Sequence, residues 1–283
     1  MRENKNIITI TADMGYSVFE SIQKKFPKRF FNTGITEQSS TSIAAGLALM
    51  GHEVYFYAQA PFITMRNFEQ VRLDLAYNNL NVKLIGTNAG VSLNQLGVSH
   101  FAVEDVAVMR LLPNFTVFTP GSPKEMSQCM QKAHLIKGPT YLRFTKGGPE
   151  EIKGLPLIDG IDGVFFVSGA LLKTAYEIVS SLKKKNIHLS LYSVPIVSPF
   201  NRKQFVKQAQ NLPLFTLEEH SVIGGLGTII SEVVVDLRMK NTVTKFGLEH
   251  KFIHVTGSID YLLKANGIDA KKIQATIVRQ LKK

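Results

Sequence analysis

Residues 36–57 read TEQSSTSIAAGLALMGHEVYFY, and this stretch indicates the fold class of the chain. Its first part, Thr36–Met50, has a helical pattern with small residues on the faces that must pack closely. Gly51 stands where such a helix ends, and Glu53–Tyr57 then favours a strand. A helix followed at once by a short apolar strand is typical of a parallel sheet that is covered by helices.

Alternating strands and helices extend from this stretch toward both termini. The pattern predicts further strands at Asn6–Thr11, Phe30–Asn32, Val82–Gly86, Thr116–Phe118, Tyr141–Phe144, Val164–Ser168, His188–Val194, Leu214–Glu218 and Phe252–Val255. It predicts further helices at Ser17–Lys25, Phe68–Tyr77, Lys124–Ile136, Leu171–Lys185, Asn201–Gln210 and Thr228–Leu237, and a last helix from Ala270.

A stretch rich in Gly and Pro interrupts this alternation, with the sequence KGGPEEIKGLPLIDGIDG at residues 146–163. We therefore expect an α/β protein of two domains, each with a largely parallel sheet flanked by helices. The expected first domain spans residues 1–147, the linker 148–163 and the second domain 164–283.

Composition excludes several classes of protein. Cys129 is the single cysteine, which rules out a disulfide framework or a multi-cysteine metal site, and its apolar helical surroundings predict a buried, unreactive thiol. No run of about 18 apolar residues predicts a membrane span, and no signal peptide is recognisable, so we expect a cytoplasmic protein. The net charge of +11 is spread along the chain without a nucleic-acid-binding motif, which favours solvated helix ends over a nucleic-acid partner.

Two residues stand out by their position alone. Glu37 follows a predicted strand and opens a helix, so its carboxylate either complements the helix dipole or faces a pocket at the carboxyl end of the sheet. His100 ends a long polar loop, Gly86–His100, of the kind that often carries function, although a single histidine can also be structural. Gly224–Gly227 precedes a helix but lacks the third glycine of a dinucleotide fingerprint, which favours a tight turn.

Four segments, in order and spanning nearly the whole chain, resemble the transketolase family of thiamine-diphosphate enzymes. They are Phe31–Leu47 (FNTGITEQSSTSIAAGL), Ala60–Val71 (APFITMRNFEQV), Gly97–Pro120 (GVSHFAVEDVAVMRLLPNFTVFTP) and Glu218–Gly227 (EEHSVIGGLG). The resemblance covers the family's pyrimidine-binding domain followed by its C-terminal domain. The family's GDG motif, which binds magnesium and the cofactor diphosphate, is not found in this sequence.

The resemblance therefore implies the second subunit of a split transketolase. It implies thiamine diphosphate as cofactor, with Mg²⁺ bound mainly by a partner and no metal ligand in this chain. The implied partner is the N-terminal, diphosphate-binding subunit, in an α2β2 heterotetramer with a contact between the two β subunits. No contact with nucleic acid or membrane is expected.

Six residues match the family's cofactor site, and Glu37 is the central one. It matches the glutamate that hydrogen-bonds the aminopyrimidine ring, where a carboxylate that shares a proton with the ring favours the reactive tautomer. Asp13 and Met14 match a pair beside the cofactor. The ring pocket is expected from Phe62, Met65 and Phe68, whose spacing of three places them on one face of a helix.

The implied substrate residues are Ser17 and Lys146 at a sugar phosphate, and His100 at hydroxyls near the reacting carbon. Lys146 stands where the family has an arginine, and three further positions on the substrate side depart from the family. Leu96 replaces an aspartate that reads a sugar hydroxyl, Phe101 replaces a glutamine, and Asn88 replaces another polar contact. Because an apolar side chain cannot replace a hydrogen bond to a hydroxyl, we expect a sugar that differs from the usual pentose-phosphate pair.

The function expected from the resemblance is transfer of a two-carbon ketol unit between a ketose phosphate and an aldose, with Glu37 and His100 as catalytic residues. Two alternatives share the architecture, the β subunit of a 2-oxo acid dehydrogenase and 1-deoxyxylulose-5-phosphate synthase. A third is a non-catalytic binding or regulatory protein with the same fold, and retention of Glu37, Phe62, Phe68 and His100 together argues against it.

Overall fold

A computed structural model describes residues 1–145 and 157–282. The strands are β1 (Ile7–Thr11), β2 (Phe30–Asn32), β3 (Glu53–Gln59), β4 (Val82–Thr87), β5 (Thr116–Phe118), β6 (Thr140–Arg143), β7 (Gly163–Ser168), β8 (Leu189–Ser193), β9 (Ile196–Ser198), β10 (Leu214–Ser221) and β11 (Val243–Leu248). The α-helices are α1 (Glu20–Lys25), α2 (Glu37–Leu49), α3 (Phe68–Gln70), α4 (Asp105–Arg110), α5 (Pro123–Leu135), α6 (Leu172–Lys183), α7 (Arg202–Ala209), α8 (Leu226–Asp236), α9 (Ile259–Ala265) and α10 (Ala270–Leu281). Short 3₁₀ turns lie at Pro27–Arg29, Val98–His100 and Gly169–Leu171, and π-helical turns at Phe62–Arg66 and Val71–Tyr77.

The first sheet has seven strands in the order β2-β1-β3-β4-β6-β5-β9. Its strands pair in parallel except at the edge, where β9 runs antiparallel to β5. β1 and β3 are in register from Ile7 opposite Glu53 to Thr11 opposite Tyr57. Parallel strands that are buried on both faces are nearly continuous apolar runs, so this sheet forms the centre of a three-layer α/β domain.

The second sheet has four parallel strands in the order β11-β10-β7-β8. Two features join it to the first half of the chain. β9 follows β8 along the chain but pairs with β5 of the first sheet. Apolar packing also crosses between the halves, because Met109 and Leu226 belong to one buried cluster. The two-domain α/β fold expected from the sequence is confirmed, and the two domains share packed surfaces.

The sequence pattern is wrong about one strand of the second sheet. It predicts a strand at Phe252–Val255, but this segment is a loop in which the Phe252 side chain is 71% exposed. The edge strand is instead β11, which pairs with β10. The apolar residues of FIHV resemble the pattern of a buried strand. β11 is a half-buried edge strand that contains a Lys and a Gly, so its sequence predicts a strand only weakly.

Phe62 to Tyr77 forms one helical region rather than the single helix expected from Phe68. It begins as a π-helical turn at Phe62–Arg66, passes through α3 and ends as a second π-helical turn at Val71–Tyr77. π-helical turns widen the helix and are frequent at functional sites. A spacing of three therefore does not imply a shared face for Phe62, Met65 and Phe68, because that segment is not a regular α-helix.

Candidate active site

The carboxyl ends of the parallel strands in the first sheet bring the candidate residues to one edge. Glu37 is the first residue of α2, only 3% exposed, and follows the turn after β2. Its Oε2 accepts a hydrogen bond from Arg66 Nη1 at 2.9 Å. Among residues 1–145 and 157–282, Oε1 of Glu37 has no hydrogen-bond partner. The position fits both alternatives that the sequence left open, because a carboxylate at a helix N-terminus also faces the ligand edge of a parallel sheet.

Arg66 connects Glu37 to an aromatic side chain. The guanidinium carbon of Arg66 lies 3.7 Å from the centroid of the Phe62 ring, within the range of a cation–π contact. The Phe62 ring in turn meets the His100 ring edge-on, with ring centroids 5.1 Å apart and an interplanar angle of 70°. Glu37, Phe62 and His100, which are far apart in sequence, therefore lie in one continuous patch with Arg66.

Three predicted ligand residues have left-handed backbone conformations, which non-glycine residues rarely adopt. Asp13 has a φ of 49°, Ser17 of 64° and Asn88 of 54°. Asp13 and Ser17 follow β1, and Asn88 follows β4, so all three lie beyond carboxyl ends of strands in the first sheet. Asn79, Asn114, Asn186, Gln210 and Arg238 also have a positive φ, so this conformation marks tight turns as well as ligand sites.

Local hydrogen bonds hold these strained residues. The Asp13 backbone N–H donates to Asn32 Oδ1 at 3.0 Å, and the Ser17 N–H donates to Glu20 Oε1 at 2.6 Å. Asn88 Nδ2 donates to Gln59 Oε1 at 3.0 Å, which links the ends of β3 and β4.

Two other residues that the sequence singled out lie in apolar surroundings. Phe68 lines a cleft with Leu73, Tyr77 and Leu111. Phe101 is 3% exposed and packs in the apolar core of the second domain, so this departure from the family does not face a substrate.

The remaining predicted residues differ in exposure. Leu96 is 55% exposed on its loop, and Met65 is half-buried in the π-helical turn. The carbonyl oxygen of Met14 accepts a hydrogen bond from the Thr11 hydroxyl at 2.8 Å, which fixes the backbone after β1. Lys146 lies outside the described residues, as does most of the expected linker.

Sequence reasoning missed Arg66 and Gln59, the partners of Glu37 and Asn88. Arg66 carries a usable signal, since it is the one basic residue in the apolar segment APFITMRNF and stands four residues after Phe62. Gln59 could not be identified from the sequence, because its amide meets Asn88 only through the pairing of β3 with β4.

Three other kinds of functional feature are relevant to the described part of the chain: a metal site, a membrane-spanning helix and a reactive cysteine. Within it, no group of three or more His, Cys, Asp or Glu side chains is arranged to hold a metal ion. In the same residues, no helix is long and apolar enough to cross a bilayer. Cys129 is buried, and desolvation raises the pKa of its thiol to about 12, which agrees with the unreactive thiol predicted from its surroundings.

Comparison with known proteins gives matches to two family models. Residues 1–149 match the transketolase pyrimidine-binding domain, and residues 157–273 match the transketolase C-terminal domain. The chain is 34% identical to a subunit of apulose-4-phosphate transketolase from Actinobacillus succinogenes, over 88% of this chain and 84% of that protein. It is 30% identical to 1-deoxy-D-xylulose-5-phosphate synthase of Bacillus velezensis, over 98% of this chain and 46% of that protein.

A solved structure gives the same result in three dimensions. The structure described as a split-gene transketolase, inactive β4 tetramer, superposes with a TM-score of 0.89 and 33% sequence identity, covering 99% of this chain and 94% of that one. The sequence matches and the superposition agree on both domains. This chain belongs to the transketolase family.

Proposed function

We propose that this chain is a subunit of a thiamine-diphosphate-dependent transketolase that transfers a two-carbon ketol unit from a ketose phosphate to an aldose. The observation that carries this proposal is the buried Glu37 carboxylate, grouped with Phe62 and His100 at the carboxyl edge of a parallel sheet. Residues from three separate parts of the chain converge there, which a helix-dipole role for Glu37 alone does not require.

The residues present fit an aminopyrimidine ring. Oε1 of Glu37 is an acceptor without a partner among the described residues, and a free oxygen on a buried carboxylate suits a ring N–H donor. Phe62 supplies an aromatic surface against which a flat ring can pack. When bound, thiamine diphosphate supplies the carbon nucleophile and the electron sink that ketol transfer needs.

The chain's own residues then have distinct tasks. Glu37 accepts a hydrogen bond at Oε1 and holds a proton between its carboxylate and the ring nitrogen. His100 is half-buried, and its Nδ1 lies 3.0 Å from the Ser99 hydroxyl. We assign its Nε2 to a substrate hydroxyl. Asp13, Met14 and Met65 are assigned to the cofactor side and Ser17, Asn88, Leu96 and Lys146 to the sugar side; Phe68 is assigned to the cofactor side as the family match implies.

We also propose that a partner subunit supplies the diphosphate and Mg²⁺ half of the site, in an α2β2 assembly with a β2 contact. The Actinobacillus relative is named as one subunit of its transketolase, and the structural neighbour is named a split-gene transketolase. The proposed domain limits are residues 1–147 and 164–283, with the linker between them.

The sugar is proposed to differ from the usual pentose-phosphate pair. Leu96 offers no hydrogen bond to a hydroxyl, whereas Asn88 offers an amide whose orientation is fixed by Gln59. The name of the Actinobacillus protein supports such a change, since it gives apulose 4-phosphate as that enzyme's sugar.

The test is an assay of the chain together with its partner subunit. We expect ketol transfer that needs both subunits, thiamine diphosphate and Mg²⁺, with apulose 4-phosphate and xylulose 5-phosphate as ketose probes. Ketol transfer without added thiamine diphosphate would contradict the proposal.

The similarity to 1-deoxy-D-xylulose-5-phosphate synthase favours one second candidate, a synthase that decarboxylates pyruvate. The same complex therefore receives pyruvate with an aldose phosphate. Release of carbon dioxide from pyruvate would favour that candidate and contradict the transketolase assignment.

A further inference from the structure

The loop that carries Leu96 and His100 is closed at its base by a pair of backbone hydrogen bonds. Gly90 N donates to Ala102 O at 2.9 Å, and Ala102 N donates to Gly90 O at 3.0 Å. We call residues 90–102 the 90–102 loop. His100 lies two residues before Ala102, and Asn88 lies two residues before Gly90.

The second domain holds the base of the 90–102 loop through one acidic residue of β10. Oε1 of Glu219 accepts a hydrogen bond from the Val91 backbone N–H at 2.8 Å. The carbonyl oxygen of Glu219 accepts from Arg143 Nη2 at 2.9 Å, and the same Nη2 donates to Ala102 O at 3.0 Å. Glu219 is 4% exposed and Arg143 3%, so these bonds are made away from solvent.

Arg143 is itself fixed by the neighbouring helix. Its Nε donates to Asp105 Oδ2 at 2.8 Å, and the Tyr141 hydroxyl donates to the same oxygen at 2.7 Å. A buried guanidinium between Asp105 and the Glu219 carbonyl has little freedom, so it locks the end of the loop base to β10.

Apolar packing and further hydrogen bonds come from the same domain. Val91 is fully buried and Phe101 nearly so, and both belong to the apolar core that β7, β8, β10 and α6 build in the second domain. Near the loop tip, Asn94 Nδ2 donates to Gly257 O at 2.5 Å. Just after the base, Ser221 N donates to Val103 O at 2.8 Å.

Gly90 and Glu219 fit each other closely. Gly90 has a φ of +65°, and a Cβ added there would collide with Oε1 of Glu219. A close approach of this kind lets the carboxylate reach the next N–H, and it requires both the missing side chain and the left-handed backbone.

We propose that Glu219 is the positioning residue through which the second domain holds the 90–102 loop in the geometry that binds sugar. The proposal rests on the function proposed above, since it assigns sugar contacts to His100 and Asn88. It gives the C-terminal domain a defined task at a site whose other residues lie in the first domain. Glu219 contacts the loop at the Val91 N–H, so it acts through the loop backbone.

The test compares three variants in the full chain. Glu219→Ala removes the acceptor of the Val91 N–H, whereas Glu219→Gln keeps an oxygen acceptor of the same length. Thr216→Val is the matched control, because Thr216 is fully buried on the same strand and its hydroxyl has no hydrogen-bond partner in the described part of the chain. Thermal denaturation first establishes that each variant is folded.

Hydrogen exchange of peptides that cover residues 88–101 is the first readout, and it does not depend on activity. We expect at least tenfold faster exchange at Val91 in Glu219→Ala, near wild-type exchange in Glu219→Gln, and no change in Thr216→Val. A buried N–H that loses its acceptor costs about 1–3 kcal/mol, and about 1.4 kcal/mol corresponds to a factor of ten. Unchanged exchange at Val91 in folded Glu219→Ala would overturn the proposal.

Steady-state kinetics of the complex with the partner subunit are the second readout, and the varied ketose is whichever of apulose 4-phosphate and xylulose 5-phosphate the wild-type complex uses. We expect KM in Glu219→Ala to rise about tenfold and kcat to fall by a smaller factor, with the glutamine variant close to wild type. A fall in kcat with unchanged KM would overturn the positioning role. If exchange changes as expected but the wild-type complex transfers no ketol unit from any ketose, the proposed function fails and with it the sugar-binding part of this inference.

Discussion

The Glu37 carboxylate and the Arg66 guanidinium form an ion pair, with Oε2 and Nη1 2.9 Å apart, that joins the start of α2 to the π-helical turn before α3. Arg66 also covers the ring of Phe62, so one side chain organises both the acidic and the aromatic part of the site. The Glu37 side chain is 4% exposed and that of Arg66 41%, which places the carboxylate in the protein and its partner at the rim.

Removal of the guanidinium should therefore destabilise the chain modestly. Arg66→Ala is expected to lower the free energy of unfolding by about 1–3 kcal/mol, because Arg66 is partly solvated but its loss leaves the buried Glu37 carboxylate without its partner. Arg66→Lys should recover only part of this, since an ammonium can pair with Glu37 but lacks the planar group that lies on Phe62. Urea denaturation of the three proteins measures the difference, and full recovery by lysine would argue against the stacking contribution.

Gly90→Ala should be strongly destabilising. The added Cβ meets Oε1 of Glu219, and the φ of +65° is unfavourable for alanine. We expect a loss of about 2 kcal/mol or more. In the Gly90→Ala, Glu219→Ala double variant the steric conflict is gone, so the two losses should not add.

Gly46→Ala is the matched control for this prediction. Gly46 lies within α2, and a Cβ added there would meet no atom of the described residues within 4 Å outside its own helix and chain neighbours. Alanine there should stabilise the helix by about 0.5–1 kcal/mol. Thermal or urea denaturation of both variants checks the pair, and equal effects at the two glycines would contradict the close fit of Gly90 to Glu219.

The stability of the chain should depend on the protonation of Glu219. Burial raises the pKa of its carboxyl to about 7, assisted by Asp105 and opposed by Arg143 and the Val91 N–H. In the unfolded chain the carboxyl titrates near 4.5, so between these values the folded state binds more protons. The stabilisation that comes from this extra bound proton is complete below about pH 4.5 and is lost as the pH rises through about 7.

Glu219→Gln removes this titration while retaining an acceptor for Val91. Relative to wild type, the variant should therefore gain stability as the pH rises from 5 to 8, by about 1 kcal/mol or more for each unit of pKa shift. The measurement is the melting temperature of both proteins across this pH range. Groups that titrate alike in both proteins do not affect the difference between variant and wild type. A constant difference across the range would contradict a raised pKa for Glu219.

The sequence predicted the placement of Glu37 because that placement depends only on short-range patterns. A strand, a tight turn and a helix fix that residue at the carboxyl edge of the sheet, and the structure has β2 and α2 in those places. The left-handed backbones of Asp13, Ser17 and Asn88 were not predictable, since no sequence rule assigns positive φ to those residue types with certainty. They emerge only from the surrounding loops.

Long-range partners account for most of what the sequence did not reveal. Arg66 pairs with Glu37 from 29 positions away, and Glu219 binds Val91 from 128 positions away. Such pairs leave no periodicity in the chain. The strand expected at Phe252–Val255 failed for a related reason, because apolar composition alone cannot tell a loop that packs on one side from a strand that pairs.

The central claim is that Glu37 acts in ketol transfer, and the most direct test is the ketol-transfer rate of Glu37→Ala in complex with the partner subunit. Glu69→Ala is the matched control, because Glu69 is exposed and pairs with its neighbour Arg72 on the surface. We expect kcat of Glu37→Ala to fall at least about a hundredfold, as is typical when a group that transfers a proton is lost. Its melting curve should stay cooperative, and Glu69→Ala should keep the wild-type rate. A wild-type rate in folded Glu37→Ala would contradict the account.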